Sequence, residues 1–218
     1  SRMMFTRSEL FKAISANIVE GQEIKKAQFK TWADINPTFE NHAIRIMGPS
    51  TISSAYDAFS DLLMDEGCNL HGNVAQFEPA ERFRLCHRPR NDGAFVNGMN
   101  NFRAVVQWVQ DNPTAFAIVP YVRYTQNRDT ITANPVDGFL PTPQAIANDN
   151  YPLARPIYLY AKGRHVPAIA GMQEFIYEFT AERTIGPEGY LASDGFFSLN
   201  DQDRNKARDI ALSLEPLN

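Results

Sequence analysis

The stretch that decides the fold is HAIRIMGPSTISSAYDAFSD, residues 42–61. Its opening, His42 to Met47, alternates apolar and polar side chains over a short run, the signature of a strand. Gly48-Pro49 breaks that strand. Small or hydroxyl-bearing residues then fill positions 50, 51, 53, 54 and 55, and the spacing predicts a helix from about Ser54 to Asp65. A strand that turns directly into a helix through a hydroxyl-rich loop offers backbone N–H groups to an oxyanion. The plain alternative needs no ligand: Ser53 is an N-cap, and Asp57 is a first-turn acid favoured by the helix dipole.

Working outward, the same alternation of short strands and helices recurs. Residues 5–20 read as a helix with Leu10, Phe11, Ile14 and Ile18 at helical spacing, Thr6 or Ser8 as cap and Gly21 as stop. Residues 29–39 read as a loop anchored by Trp32. Residues 66–92 read as irregular, with one helical turn near Pro79 to Leu85. Residues 100–111 predict an amphipathic helix stopped by Asn112-Pro113. Ala115 to Tyr121 is a continuous apolar run and reads as a buried strand, and Thr130 to Phe139 as strand and turn. Pro141 to Ala147 begins a short helix with proline in its first turn. Tyr151 to Ala161, YPLARPIYLYA, reads as a strand interrupted by two prolines. Ala168 to Thr184 predicts a helix with Met172, Phe175, Ile176 and Phe179 on one side. Residues 189–199 form a closing loop or strand, and Asp201 to Leu214 a last helix. Strands interleaved with helices argue for an α/β fold.

Composition narrows the function. The chain has 218 residues, 44% of them hydrophobic and 21% charged, which is ordinary globular composition with enough apolar mass for a core. The net charge of −4, without any Lys/Arg-rich run, argues against a nucleic-acid partner. No apolar stretch approaches the ~20 residues of a membrane helix. Cys68 and Cys86 lack the spacing of a zinc site, and either a disulfide or two unpaired thiols fits them. His42, His71, His87 and His165 are scattered and read as surface or loop residues; none accompanies a nucleophile motif. No pair of carboxylates stands out as acid and base. Gly93 and Gly98 lack the context of a dinucleotide loop. The sequence therefore predicts no catalytic residue, no metal ligand and no cofactor. Phe5, Phe11, Trp32, Phe59, Trp108 and Phe175 read as core.

Several stretches, in order, resemble a known family. They are FTRSELFKAI…KTWADINPTF, IRIMGPSTISSAYDAF, RPRNDGAFVNGMN, VVQWVQDNPTAFAIVPY, VDGFLPTPQAIANDNYPLARPIYLYAK and GMQEFIYEFT…GPEGYLASDGFFSL. Together they resemble the phosphate-binding periplasmic proteins of ABC phosphate importers, PstS-like members of the type II solute-binding-protein superfamily. The most specific match is YPLARPIYLYAK. The resemblance implies a two-lobed α/β fold, with lobe two essentially complete at 1–138 and the crossover and C-terminal part of lobe one at 139–218. It implies that the N-terminal part of lobe one is missing, so that apolar surface is left for a homodimer, a second chain or a rearranged packing to cover. It also implies an exported, periplasmic or secreted, non-enzymatic protein that binds inorganic phosphate or a similar oxyanion and serves an ABC permease.

The family's lobe-two stretch reads Ser-Gly-Thr-Arg-Asp-Ala-Phe, and here the same register gives Ser53, Ser54, Ala55, Tyr56, Asp57, Ala58 and Phe59. Ser53 keeps its hydroxyl. Ser54 keeps a backbone N–H but adds a side chain where glycine allowed close approach. Ala55 loses a hydroxyl, and Tyr56 replaces a cation. Charge-assisted hydrogen bonds contribute about 1.5–3 kcal/mol each, so losing them weakens binding by about two decades or more. Ser50, Thr51, Ser53, Ser54 and Tyr56 are the expected ligand-binding residues, with Arg45 a weak replacement cation. Arg88, Arg90 and Asp92 read as a solvated or hinge-bracing ion pair, and Arg155 as a brace of the crossover. A second reading is an interaction or structural module that reuses this scaffold without binding phosphate.

Overall fold

The computed structural model describes residues 2–98 and 101–214, which form two compact units. The first takes in the chain up to Pro141 together with Tyr151–Ala154; the second takes in Thr142–Asn150 and the chain from Arg155 onward.

The first unit starts at α1 (Arg7–Ile14), fixed by a capping box in which Thr6 Oγ1 accepts from the Glu9 amide and the Glu9 carboxylate accepts from the Thr6 amide. The predicted helix to residue 20 is corrected. It stops at Ile14, and Asn17–Glu20 is β1, paired antiparallel with β2 (Glu23–Lys26) about a turn at Gly21. Ile18 and Val19 sit in this hairpin and are both buried. Ile18 falls on helical period by sequence, yet the chain turns at Ser15, whose hydroxyl donates to the Asn17 carbonyl. Where a loop was expected, Trp32–Ile35 forms a short α2, itself held by a capping box between Thr31 and Asp34. Trp32 is fully buried, packed against Phe5 and Phe116 at ring-centroid distances of 4.8 and 5.3 Å.

The sheet that follows has three parallel strands, β3 (Ile46–Gly48), β4 (Phe95–Asn97) and β5 (Phe116–Ala117), in the order β4-β3-β5. Ile46 pairs in register with Phe95 on one side and Phe116 on the other. The central strand is the first in sequence, so the chain leaves β3 towards one edge and returns to build the other. In open α/β sheets this switch in strand order marks the crevice where ligands bind. After β3 the helical segment runs unbroken from Ser54 to His71: α3 (Ser54–Ala58), a π-helical stretch (Phe59–Asp65) and α4 (Glu66–His71). It buries Phe59, Leu63, Met64 and Cys68 against α1 and the sheet.

Three corrections apply to the rest of the first unit. Residues 66–92 are more ordered than expected, with a 3₁₀ turn at Val74–Gln76 and α5 over Pro79–Cys86. A disulfide joins Cys68 of α4 to Cys86 of α5. The apolar run at 115–121 yields only the two-residue β5 before α7 (Tyr121–Thr125). The segment 130–139 contributes isolated bridges rather than a strand, Val136 to Phe5 and to Phe139. Between β4 and β5, α6 (Phe102–Asp111) is capped by Asn101 Oδ1, which accepts from the Arg103 and Ala104 amides. The expected first residue of that helix, Asn100, lies outside the described residues.

The second unit is helical. It contains α8 (Pro143–Ala147), α9 (Met172–Phe179), α10 (Glu182–Ile185), α11 (Tyr190–Ser193) and α12 (Asp201–Ser213). The single helix expected over 168–184 is two, because the chain turns at Thr180-Ala181. Of its predicted apolar side, Ile176 is buried and Phe175 is exposed, which removes Phe175 from the core. The strand predicted over 151–161 is absent: Tyr151–Leu153 is a turn, and residues 155–162 have no regular secondary structure.

Candidate functional site

The β3–α3 loop begins where the central strand ends, and two glycines set its position. Gly98, after β4, donates its amide to the Gly48 carbonyl at 2.9 Å. A Cβ on Gly98 would lie 2.4 Å from that carbonyl oxygen, and one on Gly48 would lie 2.3 Å from the Phe95 ring. The carboxyl ends of β3 and β4 are thus drawn together more closely than any side chain allows. Sequence reasoning set Gly98 aside; spacing gives no sign of a backbone approach between segments fifty residues apart.

Within the loop the five expected residues come together. Ser53 has extended backbone at the N-cap position, but its hydroxyl does not cap the helix: Oγ donates to the Ser50 carbonyl at 2.7 Å, where the Ser53 amide also donates at 3.0 Å. The expectation of a side-chain N-cap is corrected accordingly. The first two amides of the helix, Ser54 and Ala55, have no intrahelical acceptor by position and no side-chain cap. The Tyr56 amide donates to the Ser53 carbonyl at 2.9 Å. The Thr51 and Ser54 side chains are exposed and that of Ser50 is half-buried. The loop therefore presents two helix amides without a partner among the described residues, beside the hydroxyls of Ser50, Thr51 and Ser54, an arrangement of neutral donors suited to oxygen atoms bearing negative charge.

The cation is missing from this loop. Tyr56 is half-buried, packed against the core with its ring 5.6 Å from that of Phe59. Asp57, in the first turn, is exposed and adds a negative charge. Arg45 precedes β3, at the far end of the strand from the loop, and its Nη1 donates to Asn112 Oδ1 at 3.0 Å. Its engagement there takes it out of consideration as the replacement.

Arg90 and Asp92 make a structural pair. Arg90 is buried at 8% exposure, which corrects the picture of a solvated pair. Its guanidinium donates to both Asp92 carboxylate oxygens and, through Nη1, to the Ala13 carbonyl at 3.3 Å. The Arg90 hydrogen bonds hold the Asp92 carboxyl below its ordinary range. With the Arg90 amide donating to Ile14 O, this pair ties the approach to β4 onto the end of α1. His71, expected at the surface, packs its ring 5.9 Å from that of Phe11 at the end of α4. Among the described residues no group of His, Cys, Asp and Glu could hold a metal ion, and no helix is long and apolar enough to cross a membrane.

An α/β unit with a parallel sheet, a switch in strand order and a donor-rich loop at the central strand's carboxyl end has the make-up of the type II periplasmic-binding fold. Residues 3–183 match the model of the PBP superfamily domain, and the chain belongs to that superfamily. It is 27% identical over 188 residues to the phosphate-binding protein PstS of Staphylococcus saprophyticus, covering 84% of this chain and 50% of that protein. It is 27% identical over 180 residues to the PstS of Staphylococcus haemolyticus, covering 79% and 49%. The chain thus spans about half the length of the curated relatives it matches. A solved structure of a possible phosphate binding protein from Planctomyces limnophilus superposes with a TM-score of 0.67 at 19% identity, over 98% of this chain and 65% of its own. PstS from Borrelia burgdorferi superposes at 0.58 with 16% identity, over 92% and 66%. Both likenesses bear on the fold.

Proposed function

We propose that this chain is part of the solute-binding component of an ABC importer, exported and non-enzymatic, and that it takes a phosphate-type oxyanion at the β3–α3 loop. Residues 1–138 correspond to lobe two in this reading, and 139–218 to the crossover and the C-terminal part of lobe one. The observation that carries it is the loop itself: the first-turn amides of Ser54 and Ala55, without a partner among the described residues, beside the hydroxyls of Ser50, Thr51 and Ser54, at the switch point of the sheet. The relatives named as phosphate-binding proteins supply the ligand class. A permease of the ABC type is the partner that class implies.

Tyr56 favours a second reading, an interaction module on the same scaffold that has given up phosphate. Its ring packs on Phe59, and Ala55 contributes no hydroxyl. Titration calorimetry with inorganic phosphate separates the two. The double variant A55T/Y56R restores the hydroxyl and the guanidinium of the family pattern, and affinity should rise by about two decades, since charge-assisted bonds contribute about 1.5–3 kcal/mol each. Absence of heat at millimolar phosphate in both the parent and the variant would refute the binding reading.

A further inference from the structure

Helices α6 and α7 flank β5, one leading into it and the other leaving it. Because β5 is only two residues long, the two helices meet: the Arg123 guanidinium of α7 lies over the Phe102 ring of α6, 5.8 Å from its centroid. Between them is an open cavity of about 510 Å³, a volume within the range of small-molecule sites. None of the residues lining it belongs to the β3–α3 loop, and none is acidic.

Its polar groups divide into two sets. The first consists of donors. The Arg103 guanidinium has no ion-pair or hydrogen-bond partner among the described residues, and its side chain is exposed. Arg123 is held by the Phe102 ring and by one bond from Nη1 to Gln126 Oε1 at 3.2 Å, which leaves its other N–H groups open. Asn101 uses Oδ1 to cap α6, and its Nδ2 has no partner among the described residues. The second set consists of acceptors. Gln107 Nε2 donates to Asp111 Oδ1 at 2.9 Å, and Asn127 Nδ2 donates to the Arg123 carbonyl at 2.9 Å. These bonds fix which end of each carboxamide is the donor. The oxygens, Gln107 Oε1 and Asn127 Oδ1, accept from nothing among the described residues.

Charge and hydrogen-bond type together select the ligand. Two guanidiniums with no carboxylate on the cavity wall call for a multiply charged anion, and the planar fork of arginine matches phosphate oxygens. A phosphate monoester carries about −1.5 to −2 charges at pH 7. The acceptor oxygens call for hydroxyl donors on the same molecule, and the half-buried Phe102 ring offers an apolar face to its carbon chain. Inorganic phosphate satisfies the first set, leaves the second unmet and fills a small part of the cavity. We propose that the α6–α7 cavity binds the phosphate monoester of a polyol, as a site separate from the β3–α3 loop. It stands whether or not that loop takes phosphate.

Titration calorimetry on the full chain tests it, with glucose 6-phosphate as the probe and glucose, inorganic phosphate and succinate for comparison. Glucose 6-phosphate should bind with a Kd below about 1 mM. R103Q/R123Q, at two exposed positions, should weaken it by at least about tenfold and leave the thermal midpoint unchanged. Gln107→Met should weaken it by about threefold or more and leave inorganic phosphate as it was. Ala55→Pro removes an amide of the β3–α3 loop in the first helical turn, where proline is tolerated, and should not alter glucose 6-phosphate affinity. Absence of heat from glucose 6-phosphate at millimolar concentration would overturn the inference. So would affinity that survives R103Q/R123Q and is lost in Ala55→Pro, because the ester would then sit at the loop. Succinate or inorganic phosphate binding as tightly, and lost in R103Q/R123Q, would overturn the assignment of a polyol ester.

Discussion

Two glycines show how much one hydrogen atom controls in this molecule. Gly98 faces a backbone carbonyl and Gly48 faces the Phe95 ring, which stacks on Phe59 at 5.7 Å. A methyl at either place must displace something packed. Gly98→Ala and Gly48→Ala should each lower stability by about 1–3 kcal/mol, with Gly98→Ala the costlier because a backbone oxygen yields less readily than a ring. Urea unfolding at constant slope measures both. His71 provides a pH signature. Burial pushes its pKa below the ordinary 6.5, the Lys12 charge adds to this, and Glu20 opposes it. Its Nε2 has no partner among the described residues. As pH falls through about 6.5 the unfolded chain takes up this proton while the folded chain resists it. Stability should therefore be full above about pH 6.5 and should decline below it. His71→Leu should flatten that part of the curve, read as urea midpoints at pH 7.5 and 5.5. None of this was legible in the sequence: a lone histidine and a lone glycine carry no spacing that reports what sits across from them.

At the scale of elements, the sequence spoke clearly wherever local chemistry is decisive. Helix α6 was legible from the amphipathic pattern of its residues and the Asn112-Pro113 stop. The β3–loop–α3 turn was legible from Gly48-Pro49 and the serines around it. What failed was settled at a distance. Ile18 keeps helical period and still enters a hairpin, because Ser15 turns the chain. YPLARPIYLYA has a strand's composition and, among the described residues, joins no sheet. The cysteines left their pairing open until α5 was brought beside α4. That disulfide closes a loop of 18 residues between elements that share the core with α1. C68A/C86A should cost about 3 kcal/mol, seen as a lower thermal midpoint with the β3 amides still the slowest to exchange.

For the whole molecule, the two units are built to different standards. The first has one continuous aromatic and aliphatic core; the second has, among the described residues, three buried apolar side chains. Native-state exchange should find the helices α9 to α12 opening at lower free energy than β3 and α1, and limited proteolysis should cut first between residues 155 and 165. Equal protection across both units would contradict this difference in burial.

One feature near the start of the chain bears on how the first unit could be handled. Phe5 donates to Pro135 O, its carbonyl accepts from the Asp137 amide, and the Arg7 Nε meets Asp137 Oδ2 at 2.6 Å. Entry and exit of that unit are thereby clasped side by side. A short linker could join them, and fresh termini could be opened at the exposed Gly21 turn, giving a circular permutant whose sheet and hydroxyl loop stay where they are.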